Sequence, residues 1–224
     1  MSDQRASALA KKRAEMMDVI YVAALAEFSQ HGLKGTSTQA IAERAGMSKQ
    51  QLHYYIESKE VLYESILRKT LRHWGHIGLA EEDEGVDPGD AITRLIRRKL
   101  DFTFDYPQIS RLFSNEVMRG GPVIRQIWQE GTPLVDSAVK VIENWVHKGR
   151  IDPIDPFFFL FHIWALTQHY ADYEVQVRYF TRCPDDAPID REKVRLEVTR
   201  LVLRGVGLRF DPERYRRVAA AAPA

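Results

Sequence analysis

The chain is 224 residues long, 45% hydrophobic and 28% charged, with a formal net charge of +1. That balance describes a folded globular chain with ample core for one or two domains, and it excludes both a disordered sequence and one that holds nucleic acid by bulk charge. A single cysteine, Cys183, excludes an internal disulfide framework and a thiolate metal cage. The N-terminus has no apolar stretch of signal-peptide type. The longest apolar run, Phe157 to Leu166, is interrupted by His162 and is too short to span a bilayer. A cytoplasmic protein without a membrane partner is the expectation.

Residues 1–10 read as a mobile arm leading to Lys11-Lys12-Arg13, a basic cluster suited to a phosphate backbone or to a solvated helix start. Met16, Ile20, Ala23, Ala24 and Phe28 recur at helical spacing, with Phe28 as the expected centre of the local core and Gly32 as the helix stop. The stretch from Gly35 to Leu62, GTSTQAIAERAGMSKQQLHYYIESKEVL, carries two short helical patterns split by a glycine. Ser37 and Thr38 offer hydroxyls at the first helix start, and Ile41, Ala42 and Ala45 form its apolar stripe. Gly46 can take the positive φ of a tight turn, and Ser48 reads as the cap of the second helix. In that helix only Leu52 and Ile56 need packing. Lys49, Gln50, Gln51, His53, Tyr54 and Tyr55 are hydrogen-bonding groups on a surface that an ordinary core helix would not spread so densely. Helix, glycine turn and short polar helix form the helix-turn-helix pattern.

GTSTQAIAERAG, SKQQLHYYIESKE and the lysine at Lys59 resemble the DNA-binding unit of the TetR family of transcriptional regulators. The resemblance implies an all-α, TetR-like fold: an N-terminal three-helix helix-turn-helix domain (1–58), a helical ligand-binding and dimerisation domain (59–212), and a flexible tail (213–224). Ser48 to Tyr55 is then the recognition helix for the major groove. Lys49, Gln50, Gln51 and His53 are the candidates for base edges, with Gln39 adding one from the preceding helix. Ser37, Thr38, Tyr54, Tyr55 and Lys59 are assigned to phosphates. Residues 1–56 hold seven Lys/Arg against five Asp/Glu, so affinity must rest on a few placed contacts in a symmetric dimer on a palindromic DNA operator.

Glu57-Ser58-Lys59-Glu60 opens a fourth helix running to about Gly78, with Trp74 near its end; the resemblance implies that this helix joins the DNA-binding unit to the ligand-binding body, which places Trp74 where ligand occupancy can move it. An acidic Gly/Pro linker over residues 80–90 follows. Further helices are expected at 91–105, from Pro107, in a short piece to Trp128, over 134–148 with a break at Gly131-Thr132-Pro133, over 157–180, and over 191–208. The late helices have broad apolar faces, and pairing them with a second copy through 157–178 and 190–208 makes a homodimer.

Trp164, Gln168 and Asp172 share one helix face at four-residue steps, and Thr167 flanks it. An amide turned inward among rings is costly unless something pairs with it. DYPQISRLFSNEV and GRIDPIDPFFFLFHIWALTQHYAD resemble the body of a pyrimidine-responsive subgroup of the family. Uracil or thymine is therefore the implied effector. The carboxamide of Gln168 can both donate to and accept from such a base, Trp74, Phe113 or Trp164 can lie on its flat face, and Arg111 or Ser114 can bond a carbonyl oxygen. Thr167 has the alternative of bonding the carbonyl one turn back. Another aromatic or hydrophobic ligand, or a dimeric DNA-binding module with no effector, are the competing readings. His73-x-x-His76 lacks a nearby carboxylate or cysteine, no nucleophile or phosphate-loop motif is present, and neither a metal, a cofactor nor catalysis is expected.

Overall fold

The computed structural model describes residues 2–221, with the side chains of residues 2–6 and 130–132 left out of the description. Among the described residues every regular element is helical: α1 (Ser2–Gly35), α2 (Thr38–Arg44), α3 (Lys49–Tyr55), α4 (Lys59–Ile77), α5 (Pro88–Asp105), α6 (Pro107–Met118), α7 (Ile124–His147), α8 (Pro156–Asp172), α9 (Glu174–Thr181), α10 (Arg191–Gly205) and α11 (Pro212–Ala221). They group into two compact units. The first takes residues 1–71 and 111–127, and the second takes 72–110 and 128–224. α6 thus contributes most of its length to the unit that holds the helix-turn-helix.

The core of the first unit is built from Ile20, Ala24 and Phe28 of α1, Ile41 and Ala42 of α2, Leu52 of α3 and Leu62, Tyr63, Ile66 and Leu67 of α4, joined by Leu112, Ile124 and Ile127. Phe28 is fully buried and meets the Tyr63 ring edge-on at 5.0 Å, the central position that helical spacing assigns to it. A buried carboxylate completes this core. Glu116 accepts hydrogen bonds from the Tyr63 hydroxyl (2.9 Å) and from the backbone N–H groups of Val123 (2.7 Å) and Ile124 (3.2 Å), tying α4 to the start of α7. Burial and the Glu116 charge push the Tyr63 phenol well above its ordinary pKa.

Gly32 interrupts α1 with φ +64°, as a helix-stopping glycine should, and the Arg119 guanidinium lies where its side chain would project. Gly32→Ala must hold an unfavourable φ and displace that guanidinium. We expect it to lower stability by about 1–2 kcal/mol, read as an earlier midpoint in urea. An unchanged midpoint would show the turn to be free to reshape.

In the second unit α5 is central, packing against α8, α10 and α11. Ile92, Leu95, Ile96 and Leu100 meet Trp145, Phe159, Leu160, Ile163, Val198 and Val202 in one buried cluster. Asp87 caps α5 and Asp155 caps α8, each with proline at the first helical position. Arg150 pins the acidic linker by donating to the carbonyls of Glu84 (2.8 Å) and Val86 (2.6 Å).

From α7 onward, three elements differ from the sequence expectation. α7 runs unbroken through Pro133. Pro133 and Gln129, whose carbonyl loses its partner there, are both exposed, and at an exposed site solvent can take up the missing bond. The long helix over 157–180 divides at Tyr173 (φ −118°, ψ 31°), whose ring stacks on His169 at 5.0 Å. Of the expected tail, residues 213–221 are not free (222–224 lie outside the described residues): α11 docks on α5, with Tyr215 buried and its hydroxyl donating to Glu192 (2.8 Å), and with Arg214 bridging Asp87 and Asp90, each at 2.6 Å. At the other end, the chain of the expected N-terminal arm is helical from Ser2.

Candidate nucleic-acid interface and effector residues

The caps of α2 and α3 set the angle of the helix-turn-helix. The Ser37 hydroxyl accepts the Ala40 N–H at 3.0 Å. Ser48 and Gln51 form a reciprocal capping box: the Ser48 hydroxyl accepts the Gln51 N–H (3.1 Å), and Gln51 Oε1 accepts the Ser48 N–H (2.8 Å). Gly46 makes the turn with φ +69°. Glu27, buried on α1, takes the Arg44 Nε–H at 2.6 Å and locks α2 against α1. No sequence signal marks that pair, because its members are seventeen positions apart.

With Leu52 and Ile56 buried, α3 turns Lys49, Gln50, Gln51, His53 and Tyr54 to solvent and leaves Tyr55 half-buried. Tyr54 is 72% exposed and meets Tyr55 edge-on at 5.2 Å. Arg13 of α1 stands 5.6 Å from the centre of each ring. The basic cluster near the N-terminus is therefore built into α1, with one arginine held on the tyrosine pair of α3. Gln39 is exposed on α2 and its amide donates to Glu43 at 2.7 Å. Thr38 is half-buried at the start of α2.

Lys59 occupies a different place from the one its assignment to phosphate suggests. Its ammonium donates to the carbonyls of Leu33 (2.9 Å) and Thr36 (2.7 Å), satisfying acceptors left open at the end of α1 and pinning the α1–α2 turn to the start of α4. Gln51 likewise has its oxygen folded back on the cap, leaving its NH2 group to face outward chemistry.

The residues assigned to an effector divide between the two units. Arg111, Phe113 and Ser114 sit on α6 in the first, with Phe113 half-buried against its core. Trp74, Trp164, Thr167 and Gln168 belong to the second. Trp74 is half-buried and presents its ring edge-on to Phe102 at 6.0 Å. Trp164 is half-buried beside Phe161 at 5.5 Å. The buried Thr167 hydroxyl donates to the Ile163 carbonyl at 2.8 Å, the local bond open to a helical threonine. Gln168 is half-buried, and its carboxamide has no hydrogen-bond partner among the described residues. One residue escaped the sequence reading. Lys99 of α5 is half-buried with Nζ 5.7 Å from the centre of the Trp74 ring, and burial beside the Arg98 charge pushes its pKa down to about 8.

α8 and α10 keep large apolar side chains in water: Phe157, Phe158 and Phe161 on α8 and Leu201 on α10 are all exposed. Among the described residues, no three His, Cys, Asp or Glu side chains are placed to share a metal ion, and no helix is long and apolar enough to cross a membrane.

Residues 20–66 match the bacterial regulatory proteins of the tetR family, and residues 67–209 match the C-terminal region of YcdC-like proteins. The chain is 40% identical over 198 residues to the HTH-type transcriptional regulator RutR of Escherichia coli strain K12, covering 88% of this chain and 91% of that one. It is 36% identical over 102 residues to the HTH-type transcriptional repressor SCO4008 of Streptomyces coelicolor, covering 46% and 50% of the two chains. The ketosteroid transcriptional regulator KstR2 of Mycobacterium tuberculosis superposes with a TM-score of 0.66 at 19% identity, over 87% of this chain and 94% of that one. AibR, solved with isovaleryl coenzyme A and operator DNA, gives 0.61 at 17% identity over 81% and 97%. These two structural likenesses carry the fold.

Proposed function

The chain belongs to the TetR family of bacterial regulatory proteins, as a RutR-like transcriptional regulator, and from that premise we propose that it is a homodimeric repressor whose grip on a palindromic operator is set by a pyrimidine base. Two copies of α3 enter successive major-groove faces, which requires them to sit about 34–36 Å apart. Lys49, Gln50 and His53 read base edges, Gln51 through its free NH2 group. Ser37, Thr38, Tyr54 and Tyr55, with Arg13 behind them, hold phosphates and set the register. Dimerisation buries Phe157, Phe158, Phe161 and Leu201, which would otherwise stay in water.

The observation that carries the effector reading is Gln168. A half-buried primary amide with no partner among the described residues, on the helix face of Trp164, matches the donor–acceptor edge of uracil or thymine. The ligand need only favour a different spacing of the two α3 helices. A coupling of about 1–3 kcal/mol changes DNA affinity roughly 5- to 150-fold. Calorimetry with uracil and thymine, alone and then with operator bound, tests this directly. Heat of binding with no change in operator affinity would remove regulation from the reading, and no heat would remove the pyrimidine.

The division between reading and gripping is also open to test. Gln50→Ala should lose about 1–3 kcal/mol of discrimination at its own base pair. Arg13→Ala should weaken all sequences alike and reduce the salt slope by about one. Gel-shift titrations on a set of single-base operator variants separate the two patterns. The same profile for both variants would contradict the assignment.

A further inference from the structure

A cation stands in the second unit without an anion. Among the described residues Lys99 makes no hydrogen bond and no ion pair, and the charge that acts on it is a second cation, Arg98. The carboxylate two positions along, Asp101, is taken by Arg195. Around Lys99 stand rings instead: Trp74 at 5.7 Å and, one turn on along α5, Phe102, against which His73 stacks at 4.8 Å. A ring face repays part of what an ammonium loses on leaving water, but a paired oxygen repays more. The sequence reading placed Trp74 at the effector and passed over the cation above it.

We propose that Lys99 reads the effector, its ammonium donating a hydrogen bond to an exocyclic oxygen of a planar ligand that lies against Trp74. The proposal rests on the effector reading above and adds to it a chemical requirement. The ligand must offer an acceptor oxygen at this point, and a ring carrying an amino group there is disfavoured, because two donors then face each other. The lowered pKa of Lys99, about 8, still leaves the side chain charged in most molecules at neutral pH. Without ligand the same unpaired charge weakens the fold, so an apolar replacement of similar shape should raise stability while removing recognition.

The test uses the full chain as wild type, Lys99→Met, Lys99→Arg and the exposed control Lys193→Met, with thermal shift and calorimetry against uracil, thymine, cytosine, orotate and benzoate. Uracil and thymine are expected to bind wild type and Lys193→Met equally. Lys99→Met should bind them roughly 10- to 100-fold more weakly while its ligand-free midpoint rises, and Lys99→Arg should retain part of the affinity. Equal binding by wild type and Lys99→Met overturns the proposal. If wild type ignores the pyrimidines but answers another member of the panel, the pyrimidine reading fails, and Lys99 stands or falls on whether Lys99→Met loses that response. If nothing in the panel shifts wild type, Lys99 as an effector contact is overturned as well.

Discussion

Glu116→Ala should cost the first unit about 3–5 kcal/mol, because three donors that now share one buried carboxylate would all lose their acceptor. Glu116 is 3% exposed, and the Tyr63 hydroxyl and the Ile124 N–H that it takes up are themselves buried, so water cannot simply replace it. Glu116→Gln keeps an acceptor oxygen for the backbone amides and should cost markedly less. Urea unfolding of the two variants, with Tyr63→Phe as the third corner of a cycle, measures the difference; near-equal losses for Ala and Gln would mean that side-chain volume and not hydrogen bonding is at stake. The same pair fixes a pH dependence. The folded phenol of Tyr63 titrates above its unfolded value, so the folded state holds the extra proton. Its contribution is complete below about pH 10 and is lost as the pH rises further. Unfolding should therefore become easier in that alkaline window, and Tyr63→Phe should flatten the dependence.

Placing charge on the outer face of α8 should cost still more in function. Phe158 and Phe161 are 60% and 48% exposed, and their rings meet at 6.0 Å, forming an apolar ridge. A stable protein interface buries about 1,200–2,000 Å² in total, with aromatic anchors near its centre. On the proposed homodimer, the double variant Phe158→Glu, Phe161→Glu should sediment as a monomer where the unaltered chain sediments as a dimer. Binding to a two-half-site operator should then fall roughly 100- to 10,000-fold, because the second half-site is no longer held at high effective concentration. Binding to an isolated half-site should be unaffected, which distinguishes lost dimerisation from lost folding. A double variant that remains a dimer would move the interface elsewhere on the molecule.

Much of the DNA-binding unit was legible because its signals are local. Ser37 and Ser48 cap the helices they precede, Gly32 and Gly46 adopt the positive φ their positions suggested, and Phe28, Leu52 and Ile56 are buried as helical spacing requires. The same local logic misread three places. Pro133 stands within α7 on an exposed stretch of the helix, where solvent can take up the freed carbonyl, Tyr173 ends α8 where no breaker residue announces it, and the C-terminal segment is held by Tyr215 and Arg214 through partners far back in the chain. Of the site residues, Thr167 turned its hydroxyl to its own helix, and Lys59 turned its ammonium to the α1–α2 turn.

The sequence by itself determined the helix-turn-helix, its caps and turn, the polar outward face of α3 and the apolar inward face of each later helix, since those follow from periodicity and from residues within a few positions of one another. Only the tertiary structure decided which carboxylate Tyr63 meets, that Arg13 rests on the tyrosine pair, that Lys59 faces inward and that Lys99 lies over Trp74 without an anion. The reason is geometric: spacing along a helix tells a side chain which way to face, but what it finds there is set by segments tens of residues away, brought close when the cores of the two units close.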